Sequence, residues 1–119
     1  MAQNFAYDQD IINLIGDNAV LKFGNNSACV PATETTLVSF TLTADSIIKG
    51  VYGEGGTDGL FKLYVNTVAK WQGRNAWTQR IVTTPIELSL VTGDIVELKV
   101  TNQKTTNNPF SGGFYVYEL

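Results

Sequence analysis

The residues with the clearest potential to bind a ligand are two tryptophans and two arginines near one polar loop. Trp71 and Trp77 flank residues 72–76, Arg74 lies within this loop, and Arg80 follows it closely. In sugar-binding proteins, exposed aromatic rings stack on the sugar while neighbouring polar groups bind its hydroxyls. Large aromatic residues also serve as core or as subunit contacts. The sequence therefore leaves three roles open for these residues: ligand binding, core packing or an interface between subunits.

The C-terminal segment adds two tyrosines with the same open roles. Tyr115 and Tyr117 alternate with Phe114 and Val116, which predicts a strand that carries the tyrosines on one face. Tyr64, in an earlier apolar segment, has the same alternatives. The candidate binding residues, at a subunit interface or for a ligand, are therefore Trp71, Arg74, Trp77, Arg80, Tyr115 and Tyr117.

The sequence lacks the residues that most enzymes use for acid-base and nucleophilic chemistry. It contains no histidine, which removes the commonest general base and every Ser-His-Asp or Cys-His arrangement. Glycosidase chemistry would need two carboxyl groups about 5 to 9 Å apart across a cleft, and no spacing singles out such a pair. We therefore predict that the protein is not an enzyme and has no catalytic residues.

A glycine-rich segment, residues 53–59, has some features of phosphate-binding and calcium-binding loops. It lacks the Lys-Ser/Thr pair of the P-loop, and it precedes a strand-like pattern instead of a helical one. A calcium site here would use Glu54, Asp58 and backbone carbonyls, but two carboxylates are few for this metal. We predict a long β-turn with no metal and no cofactor.

The composition predicts one folded domain. The chain has 119 residues, of which 44% are hydrophobic and 16% charged, as in ordinary globular proteins. The net charge of −3 and the scattered basic residues disfavour a nucleic-acid partner. No apolar run reaches the roughly 18 residues that a membrane-spanning helix needs, and the first residues lack a secretion-signal pattern, so we expect synthesis in the cytoplasm and no membrane partner. Cys29, the single cysteine, is expected to be buried as a small apolar residue.

From Thr35 onward, short segments of alternating apolar and polar residues are separated by Gly, Asn, Asp and Thr. A two-residue period is typical of half-buried strands, and the short connections favour antiparallel pairing. We predict an all-β fold, an antiparallel β-sandwich of the jelly-roll kind with about eight strands. The apolar faces of its strands are expected to carry Val38, Phe40, Leu42, Phe61, Leu63, Val65, Ile86, Leu88, Leu90, Val96, Leu98, Val100, Phe114 and Val116.

The first 34 residues differ in character from the rest. The isoleucines and leucine in residues 11–15 have helical spacing, enough for one or two turns, and residues 19–23 fit an extra strand. The segment is also consistent with an extended arm that orders against a neighbouring molecule. The sequence thus predicts an N-terminal arm or extra strand in residues 1–34 and a β-sandwich domain in residues 35–119.

Four segments in the second half of the chain carry a resemblance to a known group of proteins. They read GLFKLYVN, WTQR, PIELSLVTGDIVELKVTN and FSGGFYVYEL, with a tryptophan ending the strand after the first. This order resembles the small jelly-roll virion proteins of tailed bacteriophages, which serve as capsid cement or decoration proteins, head fibres or tail-associated modules. The similarity covers approximately residues 35–119 and is most specific at the hairpin of residues 85–102. That hairpin is also similar to trimeric complement-like and tumour-necrosis-factor-like jelly rolls.

The resemblance implies a structural protein of the virion that attaches to a capsid or tail through protein contacts. Its partners would be the major capsid protein or other virion proteins, and it would form a homo-oligomer, such as a homotrimer. It would be made in the host cytoplasm and located in the virion. The alternative is a carbohydrate-binding or host-receptor-binding module, in which the Trp71 to Trp77 region and the glycine-rich segment form one end of the sandwich.

Overall fold

The computed structural model describes residues 19–56, 58–75 and 81–119, with the backbone alone for residues 81–83. The described residues form eight strands and no helix. The strands are β1 (Val20–Cys29), β2 (Glu34–Thr41), β3 (Ser46–Gly55), β4 (Gly59–Val65), β5 (Val68–Asn75), β6 (Ile81–Leu90), β7 (Ile95–Asn102) and β8 (Asn108–Glu118).

These strands form two four-stranded sheets packed face to face. The first sheet has the order β1-β8-β3-β6 and the second has the order β2-β7-β4-β5, with antiparallel pairing between neighbouring strands. The chain changes sheet at most of its connections, so that β8 returns to lie between β1 and β3. This is the strand order of a jelly roll built from two Greek keys, and it confirms the predicted antiparallel sandwich.

The core lies between the sheets and follows the predicted two-residue period. Phe61 and Leu63 of β4 and Leu98 of β7 have no exposed surface. The rings of Phe61 and Phe110 meet edge to face, with centroids 5.9 Å apart and an interplanar angle of 83°. Complete burial of a side chain such as Phe61 contributes about 1.5 to 3 kcal/mol to folding, so these facing layers stabilise the sandwich.

A bulge in β2 alters the predicted pattern at one point. The register of β2 against β7 shifts between Thr36 and Val38, which turns Leu37 inward as well. Leu37 is buried, whereas Val38 and Phe40 are half-buried and pack against the core from the predicted face. The extra inward residue follows from the two-against-one pairing of a bulge, which the alternation does not reveal.

The turn between β4 and β5 has a conformation that favours glycine. Asn66 and Thr67 both have positive φ, 49° and 71°, as in the type I′ turns usually formed by Asn-Gly. The neighbouring β6–β7 turn supports this geometry. The side chain of Asn66 accepts a hydrogen bond from the Ile95 N–H at 2.9 Å and donates one to Asp94 at 2.9 Å.

The glycine-rich segment differs from the long β-turn that the sequence predicts. Gly53 and Gly55 belong to β3, which extends to Gly55, and Gly59 begins β4. A Cβ atom on Gly53 would lie 2.7 Å from the ring of Phe61, so this glycine allows a core ring to approach the strand. Glycine in this segment therefore serves close packing between the two sheets as well as a change of chain direction.

Part of the predicted N-terminal segment is integrated into the sandwich. β1 falls within residues 1–34 and is an edge strand of the first sheet, where it pairs with β8 from Val20↔Val116 to Cys29↔Asn108. The short helix predicted in residues 11–15 lies outside the described residues.

Candidate functional site

The structure places Trp71 and Arg74 on opposite sides of β5. Trp71 is half-buried and packs against the core, so part of its ring is used in folding. Arg74 is exposed and forms an ion pair with Asp58 at 2.6 Å. Trp77 and Arg80 lie outside the described residues.

Tyr115 and Tyr117 lie in the other sheet, on the outer face of β8. Tyr115 is 8% exposed and packs with Tyr52 and Ala19. Tyr117 is half-buried, and the ammonium group of Lys49 lies 5.7 Å from the centre of its ring. The predicted binding residues that the structure describes therefore divide between two sheets and do not form one site.

The outer face of the first sheet instead carries a group of apolar residues around Tyr115. We call Leu21, Phe23, Tyr52 and Tyr115 the aromatic patch; together they line a depression of about 210 Å³. Leu21 is the register partner of Tyr115, and the rings of Phe23 and Tyr52 are 6.1 Å apart. Leu21 is 38% exposed and Phe23 is 47% exposed, so the patch presents apolar surface to solvent.

A glycine forms the floor of the aromatic patch. Gly113 is the register partner of Phe23 in β1 and of Tyr52 in β3, so it lies between the two rings. A Cβ atom on Gly113 would collide with the carbonyl oxygen of Lys22. The close approach of β1 to β8 therefore requires glycine at this position.

A second depression adjoins the aromatic patch and shares Phe23 with it. We call it the polar cleft; it has a volume of about 300 Å³ and is lined by Phe23, Asn25, Asn26, Ser27, Gly55, Pro109, Phe110 and Ser111. Asn25 and Ser111 are register partners on β1 and β8. The outer face thus changes from apolar to polar along β1.

Shifted pKa values also occur at three groups that line neither depression: Cys29, Asp45 and Asp94. Burial raises the pKa of the Cys29 thiol, in line with its predicted position in the interior. Hydrogen bonds from Thr92 lower the pKa of Asp45, and hydrogen bonds from Val91 and Asn66 lower the pKa of Asp94. These carboxylates stabilise turns.

Tyr64 belongs to a polar network on the outer face of the second sheet. Its hydroxyl donates a hydrogen bond of 2.6 Å to Glu34, which raises the pKa of Tyr64 to about 12. The ammonium group of Lys99 lies 5.0 Å from the centre of the tyrosine ring. The ring is therefore partnered on this sheet and is not part of either depression.

Two buried asparagines were not identified from the sequence. Asn75 donates to the carbonyl oxygen of Gly56 at 2.8 Å and accepts from the N–H of Gly59 at 2.6 Å. Asn102 donates to the carbonyl oxygen of Cys29 at 2.9 Å. Both side chains replace backbone partners where strands end, so their role is structural.

No group of three or more His, Cys, Asp or Glu residues able to hold a metal ion occurs within the described parts of the chain. The same residues contain no helix long and apolar enough to span a membrane.

The sequence alone indicates which residues of β1 share the face that carries the aromatic patch. Leu21 and Phe23 alternate with Lys22, which places them on one face of a strand. Their position beside Tyr52 and Tyr115 depends on pairing between distant segments.

No protein-family model matches the chain, and no curated protein matches it.

Proposed function

We propose that this protein is a non-enzymatic structural protein of a tailed-bacteriophage particle and attaches to the capsid or tail through protein contacts. The observation that carries the proposal is the aromatic patch. Single exposed apolar residues are ordinary on protein surfaces, whereas adjoining ones on one face are typical of interaction sites. Aromatic residues are enriched in the cores of protein interfaces.

The patch is built on a rigid part of the fold. Three adjacent strands carry Phe23, Tyr52 and Tyr115. Only 8% of the surface of Tyr52 and of Tyr115 is exposed before a partner binds. Little side-chain entropy is therefore lost at these two residues on docking, which favours binding. The patch is pre-formed for contact with an apolar surface of a capsid or tail protein.

The expected affinity of one patch is modest. Docking would cover the exposed parts of Leu21 and Phe23, which we expect to yield roughly 1 kcal/mol for each side chain. We propose that the protein acts as a homotrimer, because three linked copies on a symmetry axis of a particle bind with much higher avidity than one copy.

The test is co-sedimentation of tagged protein with phage particles from cells that produce both. Leu21→Asp places a charge in the patch, and we expect it to lower particle occupancy at least tenfold. Val68→Asp is the matched control, because Val68 is 55% exposed on the second sheet, and it should leave occupancy unchanged. Equal occupancy for Leu21→Asp and the wild type, with both folded, would overturn the proposal.

A further inference from the structure

We propose that the polar cleft binds a neutral glycan, with one sugar ring stacked on Phe23 and its hydroxyls bound by Asn25 and Ser111. The site is separate from the region around Trp71 in the second sheet, and this activity goes beyond attachment to a particle. Because Phe23 lines both the aromatic patch and the polar cleft, a sugar and a particle protein would compete for its ring. The cleft volume of about 300 Å³ lies at the lower end of the range of small-ligand sites.

The chemical character of the lining residues matches a sugar. The Phe23 ring is 47% exposed and offers an apolar surface to the C–H face of a sugar ring. The amide of Asn25 and the hydroxyls of Ser27 and Ser111 can each donate and accept hydrogen bonds, as hydroxyl recognition requires. No charged side chain occurs among the lining residues, which favours a neutral glycan over a phosphorylated or acidic one.

The spacing along β1 also suits a ring and its hydroxyls. Phe23 and Asn25 are both exposed and are two residues apart in the regular part of β1, so they lie on one side of the strand about 7 Å apart. Ser111 faces Asn25 from β8. A sugar on the ring of Phe23 would therefore meet polar groups from two strands at its edge.

The walls of the polar cleft are held by local structure. The register of β1 against β8 shifts between Asn26 and Cys29, and the side chain of Asn26 accepts a hydrogen bond from the Ala28 N–H at 2.9 Å. Gly55 has a φ of 134°, and a Cβ atom there would collide with the carbonyl oxygen of Pro109. The cleft thus has a fixed rim and a wall without a side chain, which favours ligand binding without rearrangement.

The experiment is a glycan array that carries neutral and acidic sugars, followed by NMR titration of the best neutral sugar into the full chain. We expect binding by the wild type and at least a tenfold weaker interaction for Phe23→Ala and for Asn25→Ala. Leu21→Asp, whose side chain does not line the polar cleft, should retain sugar binding, whereas Asn25→Ala should retain particle occupancy. These two variants separate failure of the glycan site from failure of particle attachment.

Three results would overturn the glycan site. The first is that the wild type binds no neutral sugar on the array or in titration, and the second is that it binds acidic sugars only. The third is that both Phe23→Ala and Asn25→Ala bind the sugar with wild-type affinity. Thermal melting of each variant shows whether it is folded; both altered side chains are exposed, so we expect native-like melting curves.

Discussion

The two sheets share one core but have different outer faces. The first sheet carries Leu21, Phe23, Tyr52 and Tyr115, whose apolar surfaces adjoin one another. The second sheet carries Tyr64 hydrogen-bonded to Glu34, with Lys99 near its ring and 4.0 Å from Glu97. Aromatic residues occur on both outer faces, so their presence alone does not distinguish the two.

The difference lies in what surrounds each aromatic ring. On the second sheet, the hydroxyl of Tyr64 is bound to Glu34 and the ammonium group of Lys99 lies near the ring, so charged side chains surround Tyr64. On the first sheet, Phe23 and Tyr52 lie beside each other over Gly113, and no charged side chain lines the depression between them. We infer that the first face is suited to a partner and the second to solvent.

The largest effect on stability is expected from replacing Gly113, which lies between Phe23 of β1 and Tyr52 of β3. Gly113→Ala would bring a Cβ atom against the carbonyl oxygen of Lys22, so β1 must move away from β8. We expect a loss of about 1 to 3 kcal/mol in the free energy of unfolding, measured by urea denaturation. Particle occupancy should also fall, because Phe23 moves with β1.

Ser111→Ala is the control for this substitution, since Ser111 lies on the same strand and already has a Cβ atom. It should change the free energy of unfolding by less than about 0.5 kcal/mol. Wild-type stability in Gly113→Ala would show that β1 does not approach β8 as closely as described.

A smaller effect on stability is expected at alkaline pH, where Tyr64 of the second sheet loses its proton. The pKa of Tyr64 is raised from 10.0 to about 12 by the hydrogen bond to Glu34. The folded state holds the phenol proton more tightly than the unfolded state. The contribution of the protonated Tyr64 hydroxyl to stability is therefore complete below pH 10. It is lost as the pH rises toward about 12.

The measurement is the free energy of unfolding of the wild type and of Tyr64→Phe across this alkaline range. The wild type should lose more stability with rising pH than Tyr64→Phe, and Glu34→Gln should lower the pKa of Tyr64 toward its ordinary value in a spectroscopic titration. Neither variant should change particle occupancy, because both lie on the second sheet. An unchanged tyrosine titration in Glu34→Gln would contradict the hydrogen bond.

The sequence predicts the strands better than the surfaces they form. Alternation within a segment identifies Phe61 and Leu63 as one face of β4, because each strand has its own two-residue period. It does not show which strands adjoin, so it could not reveal that Trp71 and Tyr115, both candidate binding residues, lie in different sheets.

The same limitation explains why the aromatic patch was only partly predicted. Tyr115 was identified from its own strand, but Leu21 and Phe23 become its neighbours only through the pairing of β1 with β8 across most of the chain. Local irregularities add to the difficulty. The bulge that turns Leu37 inward depends on the partner strand, and nothing in the neighbouring residues of the sequence indicates it.

The most direct test of the central claim is hydroxyl-radical footprinting of the protein, free in solution and attached to phage particles. If the first sheet provides the docking face, Leu21 and Phe23 should be oxidised in the free protein and protected on the particle. Tyr64 should be modified equally in both states. Protection of Tyr64 with unchanged oxidation of Leu21 and Phe23 would contradict the assignment of the docking face.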